Sequence, residues 1–253
     1  MTVTKKVALV AGGGRGIGAA AARLLAEQGA RVVVAYQRNT QAAGQLVAAI
    51  QATGGEALAL QADVRDEVLV EQTHAAYGSI DILVSNAPAN ARPRSLLTMN
   101  WEEFLQPVAD KLKAAFTLTK AVIPAMREKH WGRLVFTASN LGKHPGFPGA
   151  SAISTGKAAL IAFTKYAAQE FGADGITANA VAPGMVETDL SLQVPASLRQ
   201  QIIAQRPLRR QASPEDIARH CVPGQPGERL HNGQLSACQW RDGHGLMLFF
   251  ARE

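Results

Sequence analysis

The run Gly12-Gly13-Gly14-Arg15-Gly16-Ile17-Gly18 is the stretch of this chain best suited to holding a phosphorylated ligand. It lies between an apolar run that reads as a strand, residues 7–11, and an alanine-rich helical stretch, residues 17–28. Glycines at 12, 16 and 18 permit a tight turn, close approach of backbone to a pyrophosphate, and close packing of the helix. The start of the helix then offers unpaired N–H groups and a positive dipole end to the anion. Gly14, Arg15 and Ile17 complete the cradle. A strand before it and a helix after it point to a dinucleotide rather than to a plain glycine turn. A carboxylate at the end of the second strand would bind the ribose hydroxyls of NAD. This chain has Tyr36-Gln37-Arg38 there. Arg15 and Arg38 are suited to charge-assisted bonds with a 2′-phosphate, so NADP(H) is favoured over NAD(H).

The elements that must position this loop follow from the apolar pattern. Strand-like runs at 7–11, 31–36, 57–61, 80–85, 133–138 and 177–181 alternate with helical stretches at 17–28, 41–53, 68–77, 101–129 and 151–171. Such alternation predicts βαβ units and a parallel sheet. The strands are apolar throughout rather than at every second residue, as expected of a sheet covered by helices on both faces. The expected fold is one doubly wound α/β domain over residues 1–253, with a mostly parallel, seven-stranded sheet and its last strand near 246–250. At 253 residues and 47% hydrophobic content the chain is long enough for one large core.

Charge and composition narrow the partners. The net charge is +6 and the pI near 9.6. The basic residues are scattered, with only Arg206, Arg209 and Arg210 loosely grouped and no aromatic-rich basic strip beside them. A solvated basic surface that attracts an anionic cofactor is therefore expected, and no nucleic-acid partner. No run of eighteen apolar residues appears, so no membrane span is expected. Two cysteines, Cys221 and Cys238, give no disulfide framework and fit a reducing cytoplasm. His220, Cys221, His231, Cys238 and His244 gather near the C-terminus, but their spacings match no zinc pattern, and no metal is expected.

Further marks accompany the glycine loop in a fixed order. Asp63-Val64 follows the third strand, and Ser85-Asn86-Ala87-Pro88 follows the fourth. Ser139 ends Phe136-Thr137-Ala138-Ser139, Lys157 closes Ile153-Ser154-Thr155-Gly156-Lys157, and Asn179-Ala180-Val181-Ala182-Pro183-Gly184 runs on to Val186 and Thr188. Together these resemble the short-chain dehydrogenase/reductase family, in its branch of about 250 residues that includes 3-oxoacyl-carrier-protein reductases, across residues 5–218. The resemblance implies that Asp63 and Val64 hold the adenine ring, and that Asn86 and Ala87 belong to the cofactor loop. It also implies that Pro183, Gly184, Val186 and Thr188 close over the nicotinamide. The family commonly forms tetramers through its two long helices, so a homo-oligomer, dimer or tetramer, acting on a small-molecule substrate is implied.

The family's chemistry uses Asn, Ser, Tyr and Lys. By resemblance Ser139 polarises the carbonyl and Lys157 binds the nicotinamide ribose. Lys111, in Lys111-Leu112-Lys113-Ala114-Ala115-Phe116, falls in the asparagine slot. Ile153 falls in the slot of the proton-transferring tyrosine, and an alkyl group has no proton to give. Tyr166 lies nine residues beyond Lys157, two and a half helical turns, and so on another face. Two expectations stand side by side: an NADP(H)-dependent oxidoreductase working weakly or unconventionally on carbonyls and alcohols, or a cofactor-binding protein without turnover. Non-redox chemistry in the same pocket is a third. Water, Lys111, Lys157, His144 or the substrate are the alternative sources of the proton. Residues 220–241 depart from the family pattern. With suitable synonymous codons, residues 220–232 shift by one base into Leu-Ala-Ser and Tyr-Ile-Thr strings of the family type, as two compensating frameshifts would leave them; ordinary divergence in a loop is the alternative.

Overall fold

The computed structural model describes residues 3–88, 92–205 and 208–222, together with the backbone of 235–236. Six strands of four to six residues lie parallel: β1 (Val7–Ala11), β2 (Arg31–Tyr36), β3 (Glu56–Gln61), β4 (Ile82–Ser85), β5 (Gly132–Thr137) and β6 (Ile176–Val181). Their order is β3-β2-β1-β4-β5-β6. The expected seventh strand of ordinary length is not present among the described residues. Only β7 (Leu235–Ser236) adds a two-residue parallel pairing beside β6, opposite Ala180 and Val181. The stretch 246–250, and the altered segment from 223 to 234, lie outside the described residues.

The helices are α1 (Gly16–Glu27), α2 (Thr40–Ala52), α3 (Val68–Tyr77), α4 (Trp101–Glu128), α5 (Ser151–Phe171), α6 (Asp189–Leu192), α7 (Ala196–Ala204) and α8 (Pro214–Cys221). Two of them start on strong local signals. Asn100 caps α4 and Glu103 reaches back to its N–H; Ser213 and Asp216 do the same for α8, with Pro214 at its first position.

Alternate residues of each strand serve opposite layers. Ala8 and Val10 of β1 pack in one core with α1, α2 and α8, through Leu25, Leu46 and Ile217. Val7, Leu9 and Ala11 pack in the other with α4 and α5, through Leu118, Met126 and Leu160. Each such fully buried side chain contributes roughly 1.5–3 kcal/mol relative to an exposed one. Both layers are thus apolar, which is why the strands show no alternation in sequence.

The sheet order reverses between β1 and β4, whose ends lie level, with Ala11 paired to Ser85. The crevice at such a reversal, outside the carboxyl ends of the strands, is where open α/β sheets bind ligands. The loops of the glycine run and of Asn86–Ala87 meet there. At the opposite end of the sheet, buried Asp81 accepts from the Val7 N–H at 2.9 Å and from Lys129 Nζ at 2.8 Å, tying β1 to the end of α4. Asp81→Ala is expected to lower unfolding stability by about 1–3 kcal/mol, because it leaves the buried Val7 N–H without an acceptor. Asp81→Asn keeps an acceptor oxygen and should lose less in the same denaturant titration. Equal losses in the two variants would assign the effect to the Lys129 charge instead.

Candidate active site

The phosphate cradle is set by the absence of side chains. Gly12 lies at φ +74, and a Cβ there would sit 2.7 Å from the Ala87 backbone. A Cβ at Gly18 would sit 2.2 Å from the Gly12 carbonyl oxygen and 2.8 Å from Asn86 Nδ2. Asn86 Nδ2 in turn donates to that carbonyl at 3.0 Å, locking the loop after β4 onto the loop after β1. Gly14 meets only ordinary contacts from Tyr36 and Ala43, so its role is space rather than conformation. Arg15 stands at the N-cap of α1 without a side-chain cap, and the first turn holds no acidic residue. The free N–H groups and dipole of α1 are therefore left for an anion. Ile17 is partly buried against the adjoining core. This arrangement fits the pyrophosphate of a dinucleotide.

At the expected adenosine end, Tyr36 closes β2 and its carbonyl accepts from the Ala62 N–H. Asp63 is clamped by Arg65: Oδ1 accepts from Arg65 Nε at 2.9 Å, Oδ2 from Arg65 Nη2 at 2.5 Å. The hydrogen bonds from Arg65 hold the Asp63 carboxyl down at about 2. Arg65 also reaches Asp110 of α4 at 2.7 Å. Val64 packs beside this clamp against the α4–α5 core. The sequence reading passed over Arg65 and Asp110, although Arg65 directly follows Asp63-Val64. Arg38 is exposed and free of ion pairs among the described residues. Arg15, expected to face a 2′-phosphate, pairs here with Asp189 at the start of α6, at 2.5 Å. Both side chains are more than half exposed, so the pair is weak and open to exchange with a phosphate.

The expected catalytic positions come from three segments. Ser139 follows β5 and caps a short 3₁₀ turn, its Oγ accepting from the Leu141 N–H at 3.2 Å. Buried Pro183 presents its carbonyl 3.4 Å from that Oγ, with Gly184, Val186 and Thr188 continuing to α6. Thr188 approaches the cradle, since a Cβ at Gly16 would touch its methyl at 3.1 Å. Gly156 lets α5 press on α4, where a Cβ would lie 3.3 Å from Val108 Cα. That close approach carries two lysines inward. Lys157 Nζ donates to the Thr137 and Ala138 carbonyls at 2.9 and 3.0 Å. Lys111, only 4% exposed, donates to the Ala87 carbonyl at 2.8 Å. Desolvation lowers Lys157 to about 8; desolvation, and then the Lys157 charge, push Lys111 well below the usual lysine range.

Ile153 lies one turn before Lys157 on α5 and is half-buried. Tyr166 is 74% exposed on the far part of α5 and takes no part in the site. His144 is exposed in the loop between β5 and α5. What the arrangement can do is hold an anionic dinucleotide against one hydroxyl and two buried amines.

Comparison with known proteins agrees with this geometry. Residues 6–198 match the family model described as short chain dehydrogenase. The chain is 41% identical over 220 residues to a 3-oxoacyl-[acyl-carrier-protein] reductase of Synechocystis, covering 85% of this chain and 87% of that one. It is 36% identical over 222 residues to the enzyme of the same name from Escherichia coli, covering 86% and 88%. Among solved structures, a short chain dehydrogenase of Burkholderia cenocepacia in complex with NADP superposes with a TM-score of 0.82 at 33% identity, over 94% of this chain and 97% of that one. A dehydrogenase/reductase of Sinorhizobium meliloti gives 0.83 at 32% identity, over 93% and 94%. The parallel sheet, the glycine cradle at its reversal and these likenesses together make the chain a member of the short-chain dehydrogenase/reductase family of oxidoreductases.

Proposed function

We propose that this protein reduces a carbonyl with NADPH, and that the proton comes from a buried lysine rather than from a phenol. The observation that carries the reading is Lys157, whose ammonium is desolvated to about 8 and has only two of its three N–H bonds taken by carbonyls. An acid that titrates near the working pH is the efficient choice for proton transfer. Ile153, in the position the family resemblance gives to tyrosine, can only pack against the substrate. The cofactor, when bound, supplies the hydride. Gly12, Gly16, Gly18 and the start of α1 hold its pyrophosphate, Asp63 and Val64 its adenine, and Arg38 with Arg15 a 2′-phosphate. Ser139 polarises the carbonyl oxygen. Lys157 Nζ gives up the proton that the oxygen needs. The relatives' 3-oxoacyl thioesters are the first substrates to test. Exposed Trp101, Leu105, Phe116 and Tyr166 on α4 and α5 suit a homo-oligomer joined through those helices.

A second reading, a cofactor-binding subunit without turnover, is favoured by one observation. By the family resemblance, Lys111 and Ile153 stand in the slots of the family's two proton-handling groups. Stoichiometric NADPH binding with no oxidation over a panel of 3-oxoacyl thioesters, ketones and aldehydes would select it.

Fluorescence titration should give tighter binding of NADPH than of NADH, and Arg38→Ala should narrow that gap. Equal affinities would remove the role given to the two arginines. Ile153→Tyr sets a phenol one turn before Lys157, whose charge favours phenolate. NADPH-dependent reduction should then rise by about 10²–10⁴, with cofactor affinity little changed. No change in a folded, cofactor-binding variant would mean that proton donation is not the deficit. Lys111→Asn should add a smaller gain on that background.

Stability should also follow the lysines. The unfolded chain holds the Lys157 proton up to about pH 10.4, the fold only up to about 8. Between those values the unfolded state binds more protons, so stability rises with pH; below about 8 the penalty is fully present. Lys111 acts with the same sign. Relative to a Lys111→Met/Lys157→Met double variant, the natural chain should therefore gain stability in urea titrations between about pH 7 and about pH 9.5. A constant difference would contradict charge burial at the pair.

A further inference from the structure

Lys111 and Lys157 bring two amines into one site, and every acceptor they meet among the described residues is an uncharged carbonyl. Lys111 Nζ bonds to Ala87, and Lys157 Nζ to Thr137 and Ala138. From α5, Lys111 is faced by Lys157. The loop after β4 offers Lys111 the Ala87 carbonyl, and the end of β5 offers Lys157 the Thr137 and Ala138 carbonyls. On its own helix, the Asp110 carboxylate is held by Arg65 and Gln106, and Lys113 is exposed and acts on Asp63. The only charge acting on Lys111, among the described residues, is thus another cation. Two like charges without a counterion are unstable inside a protein, so one of the amines sheds its proton.

The missing negative charge has an evident source one residue away. Ala87, which receives the Lys111 bond, is also the residue on which Gly12 of the phosphate cradle closes, within 2.7 Å of where a Cβ would stand. An anionic dinucleotide held by that cradle would bring negative charge toward the pair. Its field raises the proton affinity of both amines.

We propose that Lys111 and Lys157 form a proton store loaded by the cofactor: without it the pair holds one proton, and NADPH binding draws in a second. Lys111 is then a proton-storing partner of Lys157, a role unlike that of the asparagine whose position it takes. The inference rests on the reading of this cradle as an NADPH site. It accounts for a lysine at 111, because the second proton arrives only when there is a cofactor to use it.

Calorimetric titration with NADPH in two buffers of different ionisation enthalpy reads proton uptake directly. Near about pH 8 a ligand phosphate is fully ionised and contributes nothing. The natural chain should take up a large fraction of one proton per NADPH, on the order of 0.5. Lys111→Met should keep NADPH binding and lose most of the uptake. Should that variant fail to fold, the natural chain still decides: uptake should fade as the pH falls and both amines come to hold their protons without the ligand. Binding without uptake, uptake unchanged in Lys111→Met, or uptake that persists at low pH would overturn the store while leaving the cofactor reading intact. No NADPH binding at all would overturn that reading and the store with it.

Discussion

The site depends on one steric constraint, the junction where the ends of β1 and β4 meet. Gly12 and Gly18 face each other, and each faces Asn86–Ala87, at distances that exclude any side chain. The Asn86 bond to the Gly12 carbonyl then holds the junction shut. Because the sheet reverses between these two strands, the same closure leaves a crevice whose floor is bare backbone and whose wall is the start of α1. An anion can approach peptide N–H groups there without displacing anything. Removing that freedom at Gly18 would move α1, the loop after β4 and the cofactor together.

A second constraint is electrostatic. The α4–α5 contact at Gly156 brings Lys111 and Lys157 inside with carbonyl partners only. Burying amines is costly, and this fold does it twice with no carboxylate paired to either among the described residues. The bonds to three backbone carbonyls offset part of that cost but leave the charges themselves unmatched. A ligand that brings negative charge would match them. The opposite arrangement holds on the far side of α4, where Arg65 joins Asp63 to Asp110. There the charges are matched, Asp63 stays ionised, and the loop that would face adenine is fastened to the helix that carries Lys111.

Much of this was open to reading in the chain itself. Each of the six strands was placed within a few residues, because burial on both faces leaves a continuous apolar run between turn residues. The cradle was readable for a similar reason: Gly12, Gly16 and Gly18 answer a local demand for space and unusual backbone angles. Ser139 just after β5 and Ile153 and Lys157 on α5 take their places from those same elements. At the β6 edge only Leu235–Ser236 pairs among the described residues, and the strand expected near 246–250 lies outside them.

Tertiary structure alone decided the charges. Arg15 was read as a phosphate ligand and is found on Asp189, 174 residues away. Nothing near Lys111 in sequence foretells that its amine ends 4% exposed beside Lys157, because that follows from the crossing of two helices at Gly156. Periodicity and turn chemistry act over a few residues and are written locally. Which charges meet, and whether water reaches them, depends on contacts between distant segments, and those contacts set the proton affinity of Lys111 and Lys157.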